Sequence, residues 1–142
     1  MVLYNTVGKG AELEDLKAGE TTYKLVLLPR YVKDVKALKR FEPNLHEEVK
    51  KGIRQEIESG KLDEITGTGG WIKGRVASPS RNIGKSGGFR VIYLFFRIQQ
   101  DVYLQTVYNH RSKADLSPQE KNLLKIMADA YKKAYEEKRG KS

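Results

Sequence analysis

Apolar residues recur along this chain with two periods, and the switches between them mark its elements. Thr22–Leu28 (TYKLVLL) has the Val and Leu content of a strand. Pro29 fits the first turn of a following helix, where its missing N–H does no harm. Val32, Val35 and Leu38 then recur at helical spacing to about Arg40. Pro43 opens a second predicted helix, whose Leu45, Val49, Ile53 and Ile57 fall on one face and which Gly60 ends. After the glycine-rich turn Ile65–Gly70, Trp71–Ala77 reads as a strand and Ser78–Gly88 as an exposed basic loop. Phe89–Ile98 (FRVIYLFFRI) is apolar on both faces except at Arg90 and Arg97, which predicts a central strand. Asp101–Val107 completes a hairpin across Gln99-Gln100. Ser117 and Glu120 form a capping box that starts the last helix, with Leu123, Leu124, Met127, Ala130, Tyr131 and Ala134 as its apolar face.

The order predicts one α+β domain over residues 21–142, a small antiparallel sheet packed against N-terminal helices with a C-terminal helix. Residues 1–20, acidic and rich in glycine without a clear period, read as an extension, partly disordered or loosely packed.

Charge changes the picture most. Residues 71–113 hold eight Lys or Arg and one acid, Asp101, and so carry +7 of the chain's formal +9. Tyr93, Tyr103, Tyr108 and His110 are interleaved with those cations, a composition suited to a phosphate backbone. An acidic protein or an anionic membrane surface is the other class of partner that a basic surface fits. The chain has no cysteine, which removes disulfides and thiolate metal sites, and its two histidines, His46 and His110, lie too far apart in sequence to suggest zinc. No cofactor or metal is expected. With no apolar run near the roughly 20 residues that span a bilayer, and no signal-peptide pattern at the start, the expectation is a soluble cytoplasmic protein that does not engage a membrane.

Between Gly67 and Leu116 an ordered set of residues resembles the RelE/HigB superfamily of bacterial toxins, nearest its HigB-like branch. The matching residues are Gly67-Thr68-Gly69-Gly70, Lys73-x-Arg75-Val76-Ala77, Gly84-Lys85-x-Gly87-Gly88-x-Arg90-Val91-Ile92-Tyr93, Tyr103-Leu104, Val107-Tyr108 and Asp115-Leu116. The resemblance implies a compact microbial-ribonuclease-like fold and a toxin of a type II toxin–antitoxin system. It further implies an mRNA endoribonuclease that cuts mRNA in the ribosomal A site. A cognate antitoxin encoded beside it, here expected to be a helix-turn-helix protein, would hold it silent. Where the family branch has Lys-Asn after the last strand, this chain has His110-Arg111.

Metal-free cleavage of RNA uses the substrate's 2′-hydroxyl as nucleophile. It needs a base for that hydroxyl, positive charge for the phosphoryl oxygens and an acid for the leaving 5′-oxygen. Arg90, a cation in an apolar strand, suits bidentate phosphate contact at a strand end facing a cleft, or else pairing with Asp101 or Asp115. Lys73 and Arg75, two apart, share a strand face, either solvated or turned to RNA. His110 can serve as base or acid, or be a surface residue; Tyr108, two residues before it, shares its face, and Tyr93 is a weaker candidate that could approach across the hairpin. Beside cations a tyrosine can have a lowered pKa. Arg81, Lys85, Arg111 and Lys113 are candidate phosphate contacts. Trp71 is either a stacking platform for a base or a core residue. A non-catalytic RNA-binding or ribosome-associated protein would use the same charge without Tyr108 and His110.

Overall fold

The computed structural model describes residues 11–84, 88–113 and 115–140. Residues 1–10 and Lys85 lie outside them. Five strands, β1 (Glu12–Ala18), β2 (Thr21–Leu27), β3 (Ile72–Val76), β4 (Phe89–Phe96) and β5 (Asp101–Asn109), form one sheet in the order β1-β2-β5-β4-β3. Helices α1 (Pro29–Leu38) and α2 (Leu45–Ser59) connect β2 to β3, and α3 (Pro118–Gly140) ends the chain. The α+β class is as the sequence predicts, and Phe89–Phe96 is an interior strand between β3 and β5, although β5 and not β4 is the middle strand. The sheet is mixed, however: β2 pairs β5 in parallel, Lys24–Leu27 against Asp101–Leu104.

One expectation is corrected. Residues 12–18 are not a loose extension but strand β1, paired along its whole length with β2. Gly19, at φ +63°, permits the two-residue turn at Gly19-Glu20. Leu16 then fills the core at 1% exposure, while Glu14 reaches α2, its carboxylate 2.9 Å from His46 Nε2 and from Lys50 Nζ. The acidic composition hid a strand because only one face of β1 is buried. His46 also bonds the Tyr31 hydroxyl at 2.8 Å, which makes it a structural link between α1, α2 and β1.

Pro29 stands in the first turn of α1, and Gly60 caps α2 at φ +75°. The second helix begins at Leu45 rather than Pro43. Ahead of it the buried Glu42 carboxylate accepts the Ser78 and Ser80 hydroxyls at 2.9 and 2.6 Å, and its backbone carbonyl takes the N–H of Leu45, so the chain turns there before it coils.

Alternation along β4 divides the core. Phe89, Val91 and Tyr93 join Leu25, Leu27, Tyr31, Val49 and Ile53 on the α1–α2 face. Ile92 and Leu94 join Trp71, Tyr103, Leu124, Ala128 and Tyr131 under α3. Three polar contacts pin α3 to that face. The Trp71 indole N–H donates to the Leu124 carbonyl at 2.7 Å, the Lys132 ammonium donates to the Gly69 carbonyl at 2.6 Å, and the Tyr135 hydroxyl bonds Asp101. The capping box forms as the sequence predicts: Glu120 N–H to Ser117 Oγ at 3.1 Å and Ser117 N–H to Glu120 Oε1 at 2.8 Å.

The Val76 carbonyl at the end of β3 leaves no room for a side chain at Gly88, just before β4. A Cβ on Gly88 would stand 2.2 Å from the Val76 carbonyl oxygen, a distance no side chain tolerates. Gly88→Ala should therefore destabilise the domain by about 1–3 kcal/mol, the usual scale of overpacking. A urea-unfolding midpoint equal to that of the wild type would show that the β3–β4 entry can relax.

Candidate functional site

The register of the three strands decides which cations meet. Arg75 in β3 is the Cα partner of Arg90 in β4, and Arg90 is the partner of Tyr108 in β5. Directly opposed residues in an antiparallel ladder have Cα atoms about 4.5–5.5 Å apart. Arg75, Arg90 and Tyr108 thus form a row across the sheet, on the face that carries Ile92 and Trp71 rather than on the α1–α2 face. Lys73 lies two residues from Arg75 on the same face of β3, and Ile72, Gly74 and Val76 take the other face, as the sequence predicts. His110 follows two residues beyond Tyr108, its backbone N–H bonded to the Gly88 carbonyl at 3.1 Å. Five candidates, Lys73, Arg75, Arg90, Tyr108 and His110, therefore converge.

Arg90 is not fully open to solvent. It is 6% exposed and its Nη1 donates to the Phe89 carbonyl at 3.2 Å. Asp101 is not its partner, because that carboxylate lies at the opposite end of β5 and accepts from Tyr135. Burial, and then the adjacent Arg75 guanidinium, lower the Arg90 pKa, against the attraction of Tyr108 and Asp63. A guanidinium still remains charged at neutral pH. Lys73 and Arg75 make no ion pair among the described residues.

That charge acts on the two titratable neighbours. His110 has its pKa lowered, first by Arg90, then by burial, Lys73 and Arg75, so the neutral imidazole prevails at pH 7. Tyr108 departs from the expectation of a lowered pKa: burial first, then Asp115, raise it in spite of Arg90. Its hydroxyl stays protonated and can donate. The Tyr108 hydroxyl and His110 Nδ1 are both buried without a hydrogen-bond partner among the described residues, an uncommon condition in a folded protein.

Other candidates fall elsewhere. Tyr93 is one residue out of phase, faces α2 and donates its hydroxyl to Glu56 at 2.7 Å, so it cannot join Tyr108 and His110. Trp71 is completely buried with its N–H committed to α3, which removes it as a stacking platform. Arg81 folds back, with Nε on Ser78 Oγ at 3.0 Å and its guanidinium 5.1 Å from the centre of the Phe89 ring, on the α1–α2 side. Arg111 is exposed in the turn after β5, where its backbone N–H bonds Asn109 Oδ1. Lys113 is half-buried, ion-paired with Glu120 and 5.7 Å above the Tyr108 ring centre. In the sequence Glu120 reads as a helix cap, and Asp115 as part of the family resemblance and a possible partner for Arg90; the signal for their nearness to Tyr108 lies in tertiary packing.

Because a lowered histidine pKa means that the unfolded chain takes up the proton more readily, His110 makes folding less favourable as pH falls below about 6.5. An NMR titration of His110 should give a midpoint below that of a free imidazole, and Arg90→Gln should raise it. An unchanged midpoint in Arg90→Gln would show that the two groups are not neighbours.

A family model described as the RelE toxin of the RelE / RelB toxin–antitoxin system matches residues 32–141, more than three-quarters of the chain, from α1 through α3. The match takes in every strand that carries the converging cations. No helix among the described residues is long and apolar enough to cross a membrane. The chain belongs to the RelE toxin family, the toxin partner in toxin–antitoxin systems whose cognate antitoxin is of the RelB type.

Proposed function

We propose that this toxin is an mRNA endoribonuclease of the HigB-like branch, acting on mRNA in the ribosomal A site by metal-free attack of the 2′-hydroxyl on the adjacent phosphorus. The observation that carries this reading is the row Arg75–Arg90–Tyr108 with His110 beyond it. Fixed cations line one face of the sheet, next to an imidazole that they keep neutral.

In this reading neutral His110 takes the proton of the 2′-hydroxyl as the 2′-oxygen bonds to phosphorus. The bond from phosphorus to the 5′-oxygen breaks, leaving a 2′,3′-cyclic phosphate and a 5′-hydroxyl. Arg90 and Arg75 hold the phosphoryl oxygens, whose charge rises in the transition state, and Lys73 extends the cationic strip along β3. Tyr108, protonated, gives its proton to the departing 5′-oxygen as that bond breaks; the phenol then regains a proton from water and the His110 imidazolium releases its own to water, which restores both groups. Burial strengthens the contribution of Arg90, because its charge acts through a less polar medium than water. A RelB-type antitoxin, here proposed to be a helix-turn-helix protein, silences the toxin by covering the cationic strip or by keeping the protein out of the A site.

Induced in bacteria, the protein should cut translated mRNA and arrest growth. Arg90→Ala should abolish both while the circular dichroism stays native, since losing a transition-state charge contact commonly costs about 3–4 kcal/mol. Sustained growth arrest by a folded Arg90→Ala variant would remove Arg90 from the mechanism; binding to ribosomes without any cut would favour a non-catalytic RNA-binding protein. Ribosome affinity should also fall steeply with salt, and the change of Lys73 and Arg75 to Glu should flatten that slope. An unaltered slope would place β3 off the RNA.

A further inference from the structure

Glu120 makes two kinds of contact with one carboxylate. Oε1 accepts the Ser117 backbone N–H at 2.8 Å and completes the capping box of α3. Oε2 grips the Lys113 ammonium, and Arg30 Nη2 approaches the same oxygen at 3.9 Å. Lys113 in turn stands with its ammonium 5.7 Å above the centre of the Tyr108 ring, and Tyr108 is the ladder partner of Arg90. The turn that carries Lys113 is short and fixed: the N–H groups of Ser112 and Lys113 both bond the Asn109 carbonyl, at 3.1 and 3.2 Å. One acid therefore ties the start of α3 to a cation that overlies the row of functional candidates.

We propose that Glu120 is a positioning residue for this site, acting through Lys113: it holds the ammonium over the Tyr108 ring and keeps it from transferring to the RNA. A lysine is a compact charge on a flexible four-carbon stem, and with no carboxylate to hold it, it moves to the nearest anion. In the site proposed above, that anion is a substrate phosphate. The tether thus trades affinity for order. With Glu120 in place, Lys113 stays over the phenol ring at cation–π distance, which favours that ring position, and the phosphate is left to Arg90, Arg75 and Lys73. This inference rests on the reading that the converging cations bind RNA.

Glu120→Gln tests it cleanly, because Gln also closes a capping box and so keeps the helix start while removing the charge that holds Lys113. Three quantities should be measured for wild type, Glu120→Gln, Lys113→Gln and the double variant. These are the thermal midpoint, the salt dependence of binding to ribosomes and to a single-stranded RNA oligonucleotide, and the single-turnover rate of cleavage on translating ribosomes. Glu120→Gln should melt within a few degrees of wild type. It should bind RNA more tightly, with a salt slope steeper by about 0.7 because Lys113 neutralises one further phosphate. It should nevertheless cleave about tenfold more slowly, because the phenol ring is less firmly placed. A residue that merely supports the fold would lower affinity and rate together. The double variant should match Lys113→Gln alone, since the effect runs through that lysine. The proposal is overturned if Glu120→Gln leaves the salt slope unchanged or flattens it, or if its effect persists in the Lys113→Gln background. Should the wild type itself cut no mRNA, the endoribonuclease reading fails, while the binding slopes still decide whether Glu120 withholds Lys113 from RNA.

Discussion

The register between β4 and its two neighbours holds the whole molecule in its present arrangement. β4 is buried on both faces, and the alternation of its side chains sends Phe89, Val91 and Tyr93 to one helical layer and Arg90, Ile92 and Leu94 to the other. A slip of one residue would exchange these sets and drive the Arg90 guanidinium into the apolar layer against α1 and α2, where it would meet Val49 and Ile53. The apolar residues therefore hold Arg90 beside Arg75 and Tyr108 more firmly than any polar contact of its own. The geometry of the cationic row is inherited from packing.

The cationic face is tolerated because its members are fixed by different elements. Arg75 and Arg90 are opposed across a ladder although like charges repel there; burial first and then that repulsion lower the Arg90 pKa, and the Arg90 charge leads in lowering that of His110. Glu56 supports the strip from the other side of the sheet. Its Oε2 accepts the Arg75 backbone N–H at 3.2 Å while Oε1 takes the Tyr93 hydroxyl. In the function proposed above, the same arrangement that stores unfavourable charge in the free protein would give an incoming phosphate a preformed set of donors, with little reorganisation needed on binding.

Much of this is legible in the sequence. Periodicity places α1, α2 and α3, the apolar run of β4 on both its faces marks it as an interior strand, and the spacing of two between Lys73 and Arg75, and between Tyr108 and His110, places each pair on one face. Pairings between distant segments are not legible. The parallel contact of β2 with β5 joins residues far apart in sequence, and no local pattern encodes it; the β1–β2 hairpin is local, but the exposed acidic face of β1 masks its alternation. Tyr93 departs from expectation because alternation sends it to the opposite face from Arg90, a parity the sequence does contain. Trp71 and Arg81 illustrate a different limit, since a residue type suited to RNA contact becomes a packing residue once its N–H or guanidinium finds a partner inside the protein. Glu120 looks like a helix cap and is one; its grip on Lys113 depends on how the turn after β5 meets α3.

If the cations of this face keep His110 neutral so that it can take a proton from RNA, the pH dependence of cleavage must carry the signature of that imidazole. The decisive comparison is single-turnover cleavage on purified translating ribosomes, followed across pH for the wild type and His110→Gln. The wild-type rate should fall on the acid side as the imidazole gains a proton, with a midpoint below about 6.5. The residual rate of His110→Gln, lower by about 10²-fold or more, should lack that acid limb. An acid limb that persists unchanged in His110→Gln would contradict this role and assign the proton transfer to another group.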